Sequence, residues 1–229
     1  MLSYSALKSM SESPRAYRAR VSAPHAPTRA MRIGTGVHRL VLGGDMPTAP
    51  GESLTQSEMA HAESIAAAVM AHPLAMEYLR GARYEVPLEW TLSGVECRTL
   101  GIDILHPDRH GDLKVLGVSP GRFIRHCESM LYHAQIAWYD MALDATGYAP
   151  RTRPPFLLCV QSRIPYDVVV LELEPETLER GRQHCMAWIE QYKGCRASDT
   201  WPGYSQCPIP WSLWSAQFEL DSSEETESE

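Results

Sequence analysis

The chain has 229 residues, 44% of them hydrophobic and 21% charged, with a formal net charge of −7. That length and apolar content fit one domain with a real core, and the absence of an apolar run of about eighteen residues or of a charged-then-apolar leader gives no membrane span and no signal peptide, so a cytoplasmic protein is expected. Six cysteines (Cys97, Cys127, Cys159, Cys185, Cys195 and Cys207) are scattered without a CxxC pair, which reads as reduced thiols and lends no support to a zinc or iron–sulfur centre.

The average charge conceals its distribution. Residues 219–229 carry six acids and no base, and the other 218 residues hold 22 acids against 21 bases. The front is the reverse, with Lys8, Arg15, Arg18, Arg20, Arg29, Arg32 and Arg39 against Glu12 alone. Such a basic front suits phosphate contacts, or else a solvated helix face.

In chain order, Leu2, Ala6, Leu7 and Met10 have helical spacing, with Pro14 ending or restarting that helix. Thr28 is a plausible N-cap for a second helix through Leu42. Gly34 and Gly36 inside it each cost about 1 kcal/mol relative to alanine, which suggests that something passes close to the backbone. His38 lies one turn beyond Gly34; taken alone it is more readily a core or surface residue than a ligand. A Pro- and Gly-rich loop over residues 46–53 leads to Thr55 and Glu58, which match a capping box for a helix to about Ala71, and Pro73 starts a short helix to about Arg80. Strands follow at Tyr84–Trp90, at Leu100–Leu105 and at Asp112–Val118, with turns at Ser93–Gly94 and in HPDRHG. Ser119 and Pro120 read as N-cap and N1 of one long helix to about Ala145. Two further strands, Leu157–Ser162 and Tyr166–Leu173, precede a helix from Pro175 to about Lys193 with Gly194 as C-cap. The organisation expected is a single domain over 1–218, mainly helical over 1–82, with a core at 83–193, a Trp- and Pro-rich tail at 194–218 and a disordered acidic end at 219–229. Trp201, Trp211 and Trp214 in that tail read as packing rather than as platforms for bases.

The stretch from Gly101 to Tyr139 carries the chemistry. Asp103 and Asp112 fall on the two strands of an expected hairpin, and Lys114 shares a face with Asp112 because strand side chains alternate. Two convergent carboxylates are poor neighbours without a cation between them, and oxygen-only ligation suits Mg²⁺ or Mn²⁺. A lysine beside such an ion would orient a water or stabilise charge on a phosphate, which points to metal-assisted phosphodiester hydrolysis. An isolated D…DxK pattern is also compatible with a solvated polar hairpin. Gln135 and Tyr139 lie four apart on the following helix, hence on one face.

Taken in their shared order, LSYSALKSMSESPRAY, GTGVH, GIDIL with DLK nine residues later, QIAWY and DTWPGYS make the chain resemble the PD-(D/E)XK nuclease superfamily. Within it the chain is most similar to the phage-type RecE-like exonuclease group (exonuclease VIII), related to the RecB and lambda exonuclease nucleases. The resemblance implies an α/β (α+β) restriction-endonuclease-like core: a central mixed sheet flanked by helices, behind an N-terminal helical segment. It further implies that Asp103, Asp112 and the Leu113 carbonyl hold Mg²⁺ with His38, that Lys114 is the motif lysine, and that Gln135 and Tyr139 form the QxxxY pair. Glu85 or Glu89 would add an outer acid or else be a solvent-facing strand residue, and one of Arg15, Arg18 and Arg32 would meet a 5′ phosphate. The implied activity is Mg²⁺-dependent degradation of linear double-stranded DNA from a 5′ end by a ring-like trimer or tetramer, with a single-strand annealing protein as a further partner. Val115 stands where the family commonly has Thr or Ser, and Asp112 where Glu is more familiar. Alternatives are an endonuclease or single-strand-specific nuclease of the same superfamily, and a non-catalytic DNA-binding protein of the same fold.

Overall fold

The computed structural model describes residues 1–23, 26–43 and 53–204. The expected loop at 46–52, the end of the Trp-rich tail at 205–218 and the acidic segment 219–229 lie outside those residues.

The elements run β1 (Leu2–Ser3), α1 (Tyr4–Leu7), a 3₁₀ turn (Lys8–Ser11), α2 (Pro14–Ser22), α3 (Arg29–Leu42), α4 (Gln56–Ala71) and α5 (Pro73–Leu79). They continue with β2 (Arg83–Leu92), β3 (Val95–Leu105), β4 (His110–Leu116), a 3₁₀ turn (Pro120–Arg122), α6 (Phe123–Ser129), α7 (Tyr132–Ala145), β5 (Phe156–Gln161), β6 (Val168–Glu172) and α8 (Pro175–Ser198). The result is a central mixed sheet flanked by helices. α7, α8 and the N-terminal segment cover one face around Trp138, Leu116 and Cys159, and α3, α4 and α5 cover the other around Ile65, Leu158 and Phe156.

Several starts and stops follow from local chemistry. The Thr28 hydroxyl accepts the Met31 N–H at 3.3 Å, and Thr55 and Glu58 form the reciprocal capping box, a device worth about 1 kcal/mol. Ser93 and Gly94 take φ of 51° and 78°, the left-handed pair of a tight hairpin turn between β2 and β3. At Gly36 a Cβ would come within 2.6 Å of Leu54 and 3.2 Å of Ala62, so the expected close approach is the packing of α4 on α3. A Cβ on Gly34 would meet nothing from the rest of the described residues within 4 Å.

Three expectations are corrected. Leu2 and Ser3 do not open a helix; they pair in parallel with Cys97 and Arg98 of β3, which buries Leu2 in the core. The long helix expected over 119–145 is broken at Leu131, which has φ of +58°. The carbonyls of Met130 and Leu131 at that break accept Lys8 Nζ and the Tyr4 hydroxyl, so contacts from far along the chain supply what the helix gives up. The last helix runs through Gly194 to Ser198 and is capped by Asp199 at φ of 48°, because Cys195 is buried and anchors another turn.

The sheet pairing opens a gap that matters. β2 runs antiparallel along β3 from Arg83↔Leu105 to Leu92↔Val95 and takes one whole edge. The other edge of β3 is shared: β1 pairs at Cys97 and Arg98, and β4 pairs antiparallel at Ile104↔Gly111 and Leu105↔His110. Among the described residues, 99–103 between them have no strand partner on that edge. β4 then continues in parallel with β5, and β5 antiparallel with β6.

Candidate active site

The unpaired stretch of β3 is where the predicted site residues meet. Extending the β3–β4 register by one residue sets Asp103 opposite Asp112, but the ladder has opened there. The Asp103 carboxylate takes the place of a backbone acceptor: its Oδ2 receives the Leu113 N–H at 2.9 Å. Both acids are buried, Asp103 at 6% and Asp112 at 1% exposure.

Asp112 is closely held. Its Oδ1 accepts Gln135 Nε2 at 3.0 Å and the Tyr139 hydroxyl at 3.1 Å, and Oδ2 is ion-paired with Lys114 Nζ. Gln135 Nε2 also donates to the Tyr139 oxygen at 2.7 Å. Tyr139 therefore sits as a neutral phenol: burial and then the Asp112 charge raise it well above its ordinary value. Burial works against the charged lysine, but the carboxylates of Asp112 and Asp103 outweigh it and push Lys114 up, so it remains an ammonium. The Tyr132 ring lies 4.8 Å from its nitrogen and adds a cation–π contact.

Asp103 has no such company. Its neighbours are His38, whose Nδ1 is 3.5 Å from Oδ2, and Glu85, whose Oε1 is 3.6 Å from the same Nδ1. His38 Nε2 lies 2.9 Å from the Leu113 carbonyl oxygen. Burial first, and then the Asp112 charge, raise Asp103 to about 7, with His38 and Lys114 pulling the other way. Burial disfavours a charged His38, yet Asp103, a hydrogen bond with Glu85 and the Asp112 charge lift it to about 9. A proton on His38 thus stands where a divalent cation would neutralise the same carboxylates.

Glu85 is the acid selected from the two considered in the sequence; Glu89 is exposed and faces Arg98 across the ladder. Glu85 sits in a strand with φ of +50°, next to an irregularity between Val86 and Leu88. A non-glycine residue is rarely found there without a reason in its surroundings. Gly101 makes room: a Cβ on it would fall 2.5 Å from Glu85 Oε2 and 3.1 Å from Glu85 Cα. The bulge turns the carboxylate toward His38 and Asp103, so that the buried Oε1 has His38 Nδ1 as its neighbour at 3.6 Å. No pattern in the sequence marks it beyond a proline two residues on, which suits an interrupted ladder.

A cleft of about 560 Å³ opens beside Lys114, Gln135 and Tyr139. Lys8, Arg20 and Arg98 line it. None of the three arginines expected to meet a 5′ phosphate lines this cleft. Arg32 is spent on Glu58, 2.6 Å away, and Arg18 pairs with Asp199 at 3.1 Å on the wall of a separate cavity that also holds Arg15. Position along a basic stretch does not say which side of a short helix faces the site.

The sequence profile of a PDDEXK-like domain of unknown function (DUF3799) matches residues 3–209. The chain belongs to that family. A crystal structure of a candidate exonuclease from Eubacterium rectale superposes with a TM-score of 0.70 at 16% identity, over 93% of this chain and 91% of that one. A search of curated proteins found no match. The acid-and-lysine arrangement of a PDDEXK-like domain is thus present on the fold that such domains use.

The donor set suits a divalent cation. His38, Glu85 and Asp103 offer ligand atoms within 4.8 Å of one another, among the described residues the one such group. Asp112, expected among the ligands, lies outside that group with its carboxylate engaged by Gln135, Tyr139 and Lys114, and the Leu113 carbonyl oxygen lies 2.9 Å from His38 Nε2. Carboxylates and a carbonyl are hard oxygen donors, with one imidazole as the softer exception. Among the described residues no helix is long and apolar enough to cross a membrane.

Proposed function

We propose that this DUF3799 member is a Mg²⁺-dependent nuclease that hydrolyses phosphodiester bonds of linear double-stranded DNA from a 5′ end, in the manner of RecE-like exonucleases. The observation that carries this reading is the meeting of an Asp112 held by Gln135, Tyr139 and Lys114 with a His38–Glu85–Asp103 cluster across an opened strand ladder.

When bound, the metal supplies a Lewis acid that lowers the pKa of a water and neutralises charge on the scissile phosphate. Asp103, Glu85, His38 and the Leu113 carbonyl would hold it, with Asp112 at its border. Lys114 stays protonated and donates, so its work is to orient the attacking water and to stabilise negative charge on a phosphate oxygen. Gln135 and Tyr139 donate to the Asp112 carboxylate and fix its rotamer. Lys8, Arg20 and Arg98 in the adjoining cleft would meet the DNA backbone, the role expected in the sequence of Arg15, Arg18 or Arg32. On this reading a ring-like trimer or tetramer threads the duplex, and a single-strand annealing protein takes up the product strand.

The test incubates purified protein with end-labelled linear duplex and with closed circular DNA, each in Mg²⁺ and in EDTA, beside Lys114→Ala. Mg²⁺-dependent loss of the linear substrate alone, absent in the variant, is expected, and the labelled end reports the polarity. Cutting of the circle would convert the reading to an endonuclease, and cleavage of neither would leave a DNA-binding protein.

A further inference from the structure

No pattern in the sequence marks Tyr132, yet the fold brings it into the site. It is the first residue of α7, and Gln135 and Tyr139 follow three and seven residues on, so the three share one helix face and all line the cleft. The residue before it is Leu131, with its left-handed φ of +58°. The carbonyls of Met130 and Leu131 at that break accept Lys8 Nζ at 2.6 Å and the Tyr4 hydroxyl. The N-terminal segment thus fixes the point from which the Tyr132 side chain departs.

Two ammonium groups converge on that ring. Lys114 Nζ lies 4.8 Å from its centroid, and Lys8 Nζ, while bonded to the Met130 carbonyl, lies 5.9 Å from it. Both distances fall within the reach of the attraction between a cation and the negative face of an aromatic ring. The two charges feel each other: burial first, and then the Lys114 charge, lower Lys8 below its ordinary value. The residue type is telling as well. The chain has three lysines against eighteen arginines, and the third, Lys193, pairs with Glu190 on α8. A compact ammonium can sit over a ring and donate to a carbonyl at once, whereas a guanidinium spreads its charge over a planar fork.

We propose that Tyr132 is a positioning residue of the site, whose ring holds the ammonium groups of both Lys114 and Lys8 at the cleft, so that the N-terminal segment supplies a second fixed cation beside the motif lysine. Lys114 is then held by Asp112 and the ring, and Lys8 by the Met130 carbonyl and the ring. Without the ring each long side chain keeps one tether and regains rotamer freedom. Resting on the nuclease reading above, the pair gives a phosphate two donors whose places are set before DNA arrives.

The experiment records a proton–carbon correlation spectrum of the full chain carrying carbon-13 lysine, in which loss of one ε-methylene signal in Lys8→Arg and of another in Lys114→Arg assigns both. The Lys8 and Lys114 signals are expected upfield of Lys193, because protons over the face of a ring are shielded. Both should return to the Lys193 position in Tyr132→Leu and stay upfield in Tyr132→Phe. A wild-type spectrum with either signal at the Lys193 position, or an upfield shift that survives Tyr132→Leu, overturns the proposal; the wild-type spectrum decides even where Tyr132→Leu fails to fold. On linear duplex, Tyr132→Leu should lower kcat about tenfold with KM unchanged, and Tyr132→Phe should recover the rate. Unchanged kcat in Tyr132→Leu, with or without a rise in KM, overturns the positioning role. The expected lysine shifts in a protein that cleaves no DNA would sink the nuclease reading and leave the ammonium pair in place.

Discussion

The two halves of the site are built on opposite plans. On the lysine half, Asp112 has three cationic or polar neighbours of its own, Gln135, Tyr139 and Lys114. On the acid half, buried Asp103 and half-buried Glu85 share one histidine, whose Nδ1 lies 3.5 and 3.6 Å from them. Two carboxylates sharing one cation are costly to bury, and the fold keeps Glu85 in a left-handed strand residue beside Asp103. The difference is one of supply: the chain surrounds Asp112 with its own donors, whereas the acid half is where the proposed cation would add positive charge.

The largest effect should come from breaking the lysine half. Lys114→Ala is expected to lower the cleavage rate by about 10²–10⁴-fold, the range for a group that positions a reacting water, with the far-UV spectrum unchanged because Gln135 and Tyr139 still hold Asp112. A variant that cleaves at the wild-type rate would remove Lys114 from the chemistry. Next, Asp103→Asn should abolish the rise in melting temperature that Mg²⁺ or Mn²⁺ gives the wild-type protein, since ligand binding to the native state is what produces such a rise. An equal rise in both proteins would place the cation elsewhere.

Glu85→Gln probes the same half more gently, and a loss of about 10–100-fold in metal affinity by calorimetry is expected. Gly101→Ala should do the same without touching a ligand, because its Cβ would displace the Glu85 carboxylate. Unchanged affinity in both would show that Glu85 is strained for some other reason. Tyr139→Phe removes one of three donors to Asp112 and should reduce activity by about tenfold, less than Lys114→Ala.

The smallest effect shows what the acid half lacks. Glu58 is as buried as Asp103 but has Arg32, whose hydrogen bond, aided by Thr55, holds it down at about 2. Its folded value lies below the unfolded one near 4.5, so its contribution to stability is fully present above about pH 4.5 and is lost as the pH falls toward 2. Arg32→Met should shrink the acid-induced drop in melting temperature across that window and leave the neutral-pH metal response intact. A change in the metal response would tie the pair to the site.

How much of this could be read from residues alone varied by region. The spacing of Asp112 and Lys114 and of Gln135 and Tyr139 determines that each pair shares a face, because the strand and helix periods are fixed by backbone geometry. Caps at Thr28 and Thr55 and the turn at Ser93–Gly94 were legible for the same reason: their hydrogen bonds close within a few residues. The break at Leu131 was not, since it depends on Tyr4 and Lys8, which reach its carbonyls from more than 120 residues away in sequence.

The sequence by itself therefore determined the sheet-and-helix order apart from β1 and the break at Leu131, the hairpin that brings Asp103 and Asp112 together, and the shared faces of Asp112 with Lys114 and of Gln135 with Tyr139. Tertiary structure alone decided that β1 and β4 share one edge of β3 and leave the gap between them, and that Glu85 rather than Glu89 turns inward. It also decided that Lys8, Arg20 and Arg98, rather than Arg15, Arg18 and Arg32, line the cleft. Local periodicity says which side chains travel together. Which edge a strand docks on, and which cation is already taken by an acid, are set by long-range packing, where no short-range rule reaches.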